Sequence, residues 1–443
     1  MTHGVEGAEG TLVACHECDR LHLRGVLPPR ARADCGRCGA MLYRHVPDSL
    51  TRTLALHLTA LVLLLIAVSF PFLGMKIGGL VEENHLFSGA FALYELGMWE
   101  LGVVVLLTSV VFPFAVVLGM LWLLIPVRFG VVPPGMGPVF RVVRALDPWA
   151  LVGVFLLGAL IAIVKLQSMA TVLPGIALYA FSAALVTITA ARASFDPDAL
   201  WAVLPLRSPR PEEVADDERL LNCHTCALLV RASDDHGACP RCGATLHVRK
   251  EDSLARTWAL VISAALLMIP AQIYPVMTVT QLGRGSPDTI LSGVIKLIEL
   301  GMYGLAAIVF FASIVVPVAK LIALVFLLRS VQRRSAWRPR DRTLLYRVTE
   351  VIGAWSMVDV FLVGLLSGLV SLNLLATIEP GIGASFFGAV VILTMFAARS
   401  FDPRLIWDHA MRDVQAPGSS GAEDAASDAG AADGRAALVT VVT

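Results

Sequence analysis

Long uncharged stretches alternate with short polar connectors along most of this chain. The uncharged runs cover Thr53 to Met75, Leu101 to Val127, Pro148 to Val164 and Leu166 to Ala191. They recur at Thr257 to Tyr274, Tyr303 to Leu328, Trp355 to Ala376 and Ile382 to Ala398. Each approaches the ~20 residues that a helix rising ~1.5 Å per residue needs to cross ~30 Å of hydrocarbon. One such run could be a buried core helix, but eight in two sets of four predict eight membrane-spanning helices.

The second set restates the first. Asp48-Ser49-Leu50 matches Asp252-Ser253-Leu254, Ser88-Gly89 matches Ser292-Gly293, and Glu95 to Met98 matches Glu299 to Met302, at a constant offset (252 − 48 = 302 − 98 = 204). From Trp149 and Trp355 onward the offset is 206, and it holds through Pro174-Gly175 against Pro380-Gly381 and Phe195-Asp196-Pro197 against Phe401-Asp402-Pro403. Such colinearity identifies a duplicated module. The expected fold class is an all-α polytopic membrane protein built of two tandem modules. Each module is a small cysteine ribbon followed by four spans. The boundaries read as ribbon 1 over 1–46, membrane module 1 over 47–204, a Pro-rich charged linker over 205–219, ribbon 2 over 220–250, membrane module 2 over 251–410, and a disordered Ala/Gly/Ser/Asp tail over 411–443.

Composition agrees: apolar residues make up 56% of the 443 and charged residues 16%, too greasy for a water-soluble chain of this length. Arginine collects beside span one (Arg44, Arg52) and between spans two and three (Arg128, Arg141, Arg144), with a denser group from Arg329 to Arg347 in the second half. By the positive-inside rule these faces are cytoplasmic. The connectors bearing Glu82, Glu83 and Glu95, and Asp288 and Glu299, then face outward. Both cysteine clusters and both termini fall inside the cell. No cleavable signal peptide is visible.

All eight cysteines fall into two four-residue clusters: Cys15, Cys18, Cys35 and Cys38, then Cys223, Cys226, Cys239 and Cys242. Paired CxxC knuckles in a reducing compartment point to metal, and four thiolates at tetrahedral spacing suit structural Zn²⁺, with iron as an alternative. The glycine after each second knuckle, Gly39 or Gly243, relieves the turn. A dithiol–disulfide cycle would need only one knuckle. Walker, HExxH, Gly-x-Ser-x-Gly and paired-aspartate motifs are absent from the spans, so no enzyme is expected. No nucleic-acid partner is expected either.

Charge inside the spans is the remaining signal. The first module is largely clean, whereas the second holds Lys320 and Asp359, where repeat one has Val116 and Gly153. An unpaired mid-bilayer charge costs roughly 2.5–3.5 kcal/mol on insertion scales, so each requires a partner or a wet cavity. Both lie nine residues from a charge marking the cytoplasmic end, Arg329 or Glu350, about 13 Å in, and are therefore expected to meet. Ser313 and Ser356 share their helix faces, and Thr394 in span eight supplies a third wall. Lys165 in span three can snorkel to the outer headgroups, with Ser168 one turn further on.

The duplicated CxxC…CxxCG head, the Asp-Ser-Leu-x-Arg-Thr entry to the first span, the Glu-Leu-Gly-Met outer segment and four spans per copy resemble the paraquat-inducible protein A family, in particular its lipophilic envelope-spanning tunnel protein A branch. The resemblance covers residues 12 to 410. It implies a multi-pass inner-membrane protein of Gram-negative bacteria that works with a periplasmic tunnel of MCE domains and moves phospholipids between the two membranes. It also implies cytoplasmic zinc ribbons and a polar network in the second module, matching Ser313, Lys320, Ser356, Asp359 and Thr394. Where some members place an acid one turn after the outer-end lysine, this chain has Ser168 after Lys165, so no charge relay is implied there. The function expected is lipid loading, with protonation of Asp359 releasing Lys320. The alternative is a membrane-anchored sensor or adaptor whose zinc ribbons receive a cytosolic partner.

Overall fold

Eight helices long and apolar enough to cross a membrane occupy Ser49–Ser69, Trp99–Arg128, Met136–Val164, Ile176–Ser194, Ser253–Ile273, Ala306–Gln332, Pro339–Gly368 and Ile382–Ser400. They are seen in a computed structural model that describes residues 10–77, 80–166, 171–215, 218, 220–231, 237–281, 284–299, 301–369, 371–372, 376–408 and 440–442. Most of the tail assigned to 411–443 lies outside these residues.

In the first half, strands β1 (Leu12–Ala14), β2 (Leu21–Leu23), β3 (Arg32–Asp34) and β4 (Met41–Arg44) form the two hairpins of ribbon 1. Then come α1 (Ser49–Ser69), β5 (Leu73–Ile77), β6 (Leu80–Asn84), α2 (Ser88–Glu95), α3 (Trp99–Leu106), α4 (Phe112–Arg128), α5 (Met136–Leu146), α6 (Val152–Leu166), β7 (Thr171–Pro174), α7 (Ile176–Ser194) and α8 (Pro197–Trp201). The second half repeats the order with β8 (Leu220–Asn222), β9 (Leu229–Arg231), α9 (Ser253–Ile273), β10 (Met277–Gln281), β11 (Arg284–Asp288), α10 (Ile290–Glu299), α11 (Tyr303–Phe310), α12 (Val316–Gln332), α13 (Pro339–Gly353), α14 (Val358–Leu369), β12 (Ser371–Leu372), β13 (Ala376–Pro380) and α15 (Ile382–Ser400). A last strand, β14 (Thr440–Val442), pairs with β3.

The repeated sequence signatures close each set of four spans. Asp48 and Asp252 adopt left-handed φ of 52° and 47° at the starts of α1 and α9. The next residue, Ser49, donates to the Ser194 carbonyl at 2.8 Å and accepts from the Asp196 amide at 2.8 Å. Ser253 does the same with Ser400 (2.8 Å) and Asp402 (3.0 Å). Asp-Ser-Leu and Phe-Asp-Pro are thus the two halves of one joint, which binds the first span to the fourth.

Three of the expected runs overshoot. Phe70 turns extended (ψ 161°) before Pro71, because a residue preceding proline is barred from the α region. The apolar sequence beyond it becomes strand β5. That strand pairs antiparallel with β6 and β7 in one sheet, while β11, β10, β13 and β12 form the matching sheet of the second half. The run from Leu166 therefore breaks before α7, and the run ending at Ala376 enters β13. Hydropathy cannot separate an apolar strand from the end of an apolar helix. Gly175 and Gly381 close these turns so tightly that a Cβ would lie 2.0 Å and 2.2 Å from the carbonyl oxygens of Pro71 and Pro275.

The ribbons cross over. The cysteines of ribbon 1 pack with Leu324, Leu327, Tyr346, Phe401 and Trp407 of the second half, and those of ribbon 2 pack with Leu123, Met136, Phe140 and Trp201 of the first. Equivalent contacts show that the exchange is reciprocal. Arg141 donates to the Gly243 carbonyl at 2.9 Å, and its counterpart Arg347 (141 + 206) donates to the Gly39 carbonyl at 3.4 Å. The two sets of spans also meet through counterparts: Phe155 on α6 contacts Phe361 on α14 edge to face at 5.3 Å (155 + 206 = 361).

Candidate metal centres and membrane cavity

Each ribbon brings four buried sulfurs within 4.8 Å of one another. Cys15–Cys38 and Cys18–Cys35 are 3.4 and 3.6 Å apart, and Cys223–Cys242 and Cys226–Cys239 are 3.5 and 3.6 Å apart. A tetrahedral ion with ligands at ~2.3 Å places its sulfurs roughly 3.8 Å apart, so both donor sets fit a metal ion such as zinc. Gly39 and Gly243 adopt φ of 73° and 70°, as the knuckle turn demands. In ribbon 1, His22 Nε2 lies 3.2 Å from Cys35 Sγ and Arg347 Nη2 lies 3.8 Å from Cys38 Sγ. Hydrogen bonds among the thiols hold Cys35 and Cys239 far below the usual thiol range while pushing Cys15 and Cys242 far above it.

The second site is in the membrane-spanning part. A cavity of about 60 Å³ opens among α10, α14 and α15, with Asp359, Ser313, Thr289 and Asp288 as its polar wall and Val360, Val363, Ala384 and Phe387 among its apolar ones. Ser313 sits in a π-helical turn, Phe311–Val315, just before Pro317. Proline cannot donate to the carbonyl one turn back, and a widened turn accommodates the mismatch. Repeat one has the same turn over Leu107–Val111, but there Ser109 is satisfied by the Val105 carbonyl at 2.6 Å. Ser313, fully buried, has no hydrogen-bond partner for its Oγ among the described residues.

The cavity arises from a broken equivalence. In the first half Gly89 of α2 is pressed onto α14, where a Cβ would meet the Gly364 carbonyl oxygen at 2.5 Å, and Gly368 meets Gly89 in turn. Small residues let helix backbones approach this closely. Its counterpart Gly293 on α10 has nothing within 4 Å among the described residues, and Gly158 on α6, the counterpart of Gly364 (364 − 206 = 158), meets Phe361 instead, so the equivalent contact is not made and a cavity lies beside Gly293 and Asp359.

Of the residues singled out from sequence, Asp359 and Ser313 are brought to one cavity. Lys320 does not line it. The Lys320 side chain is 4% exposed, its Nζ has no hydrogen-bond partner among the described residues, and it rests against Gly353, whose ideal Cβ would be 2.6 Å away. Direct contact with Asp359, expected from equal depth, is not made. The amine lies level with Gly353, six residues before Asp359, roughly 10 Å along a helix whose Ala354–Met357 segment is a 3₁₀ turn. Ser356 is buried with an Oγ that has no hydrogen-bond partner among the described residues, and Thr394 spends its hydroxyl on the Val391 carbonyl at 2.9 Å. The Lys165 side chain and Ser168 lie outside the described residues.

Sequence reasoning missed two features. Asp288 at the cavity wall pairs with Lys296 at 2.5 Å, a couple absent from repeat one, where Asn84 and Ala92 stand at those places. His22 was also missed; Val230 occupies its place in ribbon 2. Comparing the two repeats for gained polar residues would have found both.

These features define a polytopic α-helical membrane protein with a tetrathiolate centre near the start of each half. The chain belongs to the paraquat-inducible protein A family, whose model matches it twice, over residues 50–204 and 254–411. It is similar to the intermembrane transport protein PqiA of Escherichia coli (strain K12), 35% identical over 405 residues covering 89% of this chain and 95% of that one. The lipophilic envelope-spanning tunnel protein A of the same strain is 30% identical over 405 residues, covering 91% and 93%. A probable intermembrane transport protein of Haemophilus influenzae is 28% identical over 411 residues, covering 89% and 95%. No solved structure matches the chain.

Proposed function

We propose that this chain is a non-enzymatic inner-membrane subunit of an intermembrane lipid transport system. In this reading it loads or unloads phospholipid at a periplasmic tunnel of MCE domains, with ribbons and termini in the cytoplasm and zinc in both ribbons. The names of its relatives support intermembrane transport. The observation that carries the reading is the cavity beside Asp359 and Ser313, at the place where α10 lacks the close backbone contact that α2 makes with α14.

At about 60 Å³ the cavity accommodates a few waters or a short piece of acyl chain. Admitting a lipid requires α10 to swing outward, and Gly293 gives that helix no close contact to break. Protonation of Asp359 removes a charge from the cavity wall and favours apolar cargo, while Lys320, deeper toward the ribbons, keeps a polar floor. Proton movement would thereby couple to lipid entry. Zinc, when bound, supplies a closed structural joint. Packing of both knuckles against membrane helices speaks against the sensor reading, which needs the ribbons free to receive a partner.

The test is transfer of a fluorescent phospholipid from proteoliposomes to the purified tunnel partner. Asp359→Asn and Lys320→Ala are each expected to abolish transfer while insertion and metal content stay normal. Unchanged transfer by both variants would reduce these residues to architecture and sink the reading.

A further inference from the structure

The ribbon-side end of α12 and the start of α13 enclose a cleft of about 570 Å³, separate from the cavity beside Asp359. Three arginines line it: Arg329, Arg333 and Arg342. Arg342 is 2% exposed, its Nη1 and Nη2 reach Ser330 Oγ at 3.2 Å and the Ser335 carbonyl at 2.7 Å, and its Nε has no partner among the described residues. The neighbouring acid, Asp341, pairs with Arg338 at 3.3 Å. Among the described residues no carboxylate forms an ion pair with Arg329, Arg333 or Arg342.

A guanidinium cannot shed its proton when buried, so its charge needs a counter-charge, and its planar fork fits phosphate. Deeper along the same stripe of α12 the cleft is apolar. Ile322 and Phe326 are 64% and 43% exposed on the span itself, and Trp337, 60% exposed, stands at the rim where interfacial aromatics anchor. An apolar wall running into a cationic end is the shape of a phospholipid, tails along the helix and phosphate at the membrane surface.

We infer that this cleft binds the phosphate of an anionic phospholipid in the leaflet on the ribbon side. The site belongs to the second repeat alone. The first-repeat counterparts of Arg329, Arg333 and Arg342 are Ile125 (329 − 204), Phe129 (333 − 204) and Met136 (342 − 206). It is a resident site that does not depend on the transport reading: its lipid lies at the end of the spans opposite the strand sheets, on a different wall of the protein from the Asp359 cavity.

The experiment is native mass spectrometry of the full-length protein in detergent, titrated with phosphatidylglycerol, with phosphatidylcholine, and with phosphatidylglycerol plus millimolar inorganic phosphate. Wild type is expected to retain phosphatidylglycerol at least about tenfold better than phosphatidylcholine. Arg342→Met, which installs the first-repeat residue, should lower that affinity about tenfold, as should the exposed pair Arg329→Ala with Arg333→Ala. Arg338→Ala, already engaged with Asp341, should leave it unchanged. The exposed double variant keeps the test decisive should Arg342→Met fail to fold. Equal retention of both lipids, or wild-type affinity in the exposed double variant, overturns the site. Displacement of the lipid by inorganic phosphate assigns the arginines to a free anion and overturns the lipid source.

Discussion

The guanidinium of Arg37, in the first cysteine ribbon, lies 4.5 Å from the centre of the Trp407 ring, at the far end of the last membrane helix. Arg241 and Trp201 repeat the contact at 5.1 Å in the reciprocal sense (37 + 204 = 241; 201 + 206 = 407). Cation–π contacts contribute about 0.5–2 kcal/mol. A double-mutant cycle on Arg37→Ala and Trp407→Leu, read from thermal unfolding in detergent, is expected to return a coupling of that size. Coupling of Arg37 to Trp201 instead would mean that each ribbon docks on its own half, contrary to the crossover.

The contact of Gly89 with Gly364 gives a prediction with an internal control. Gly89→Ala places a methyl 2.5 Å from a carbonyl oxygen, and such overpacking costs about 1–3 kcal/mol. Gly293→Ala, the same change in the other repeat, meets nothing within 4 Å and should stay within about 0.5 kcal/mol of wild type. Unfolding midpoints of the two variants check the difference. Equal effects would contradict the broken equivalence from which the cavity arises.

Metal analysis separates the ribbons. The intact chain should bind two metal ions, and Cys35→Ser or Cys239→Ser should each remove one. His22 stands 3.2 Å from Cys35 Sγ, and partners of ligating atoms typically account for 10–100-fold in metal affinity. His22→Val, copying Val230, should therefore speed chelator-driven loss from ribbon 1 and leave ribbon 2 untouched. Equal loss rates from both ribbons would remove His22 from the site.

The two joint aspartates should respond to pH with opposite signs. Burial pushes the Asp196 carboxyl up to about 6, helped by the Asp198 carboxylate. Burial acts the same way on Asp402, but hydrogen bonds and charge from Arg404, at the position equivalent to Asp198, outweigh it and hold this carboxyl below 3.8. Asp402 thus stabilises above its unfolded value, and the contribution is lost as pH falls through the depressed folded value. Asp196 favours folding only while protonated, so its contribution is lost as pH rises through about 6. At about pH 7 Asp402→Asn should lower the melting temperature, the deficit shrinking in acid. Asp196→Asn should match or exceed wild type at about pH 7 and lose that advantage toward pH 3.8. Melting temperatures across pH check both.

The spans, the repeat and both thiolate clusters were legible because each is local: twenty apolar residues, a constant offset, a CxxC spacing. The strands β5 and β7 overlapped apolar runs, β13 began where one ended and β10 lay just past another, with only Pro71, Pro174, Pro275 and Pro380 marking the breaks. Depth along the helix was the ground for joining Lys320 to Asp359. It failed for Lys320, because α13 continues eleven residues on the ribbon side before Glu350 (350 − 339 = 11), and the amine reaches back toward Gly353. The crossover was invisible, since nothing in Arg37 or Arg141 says which copy of the partner surface it will choose.

That exchange of ribbons also orders the birth of the molecule. Ribbon 1 can close early, before the first membrane helix leaves the ribosome, yet Arg347, Phe401 and Trp407, on which it comes to rest, are made only with and after the seventh and eighth membrane helices. The newborn N-terminus must stay soluble and undocked through the insertion of seven helices. Arrival of the eighth is the event that fastens ribbon 1, so a product cut short before it declares itself by a dangling ribbon.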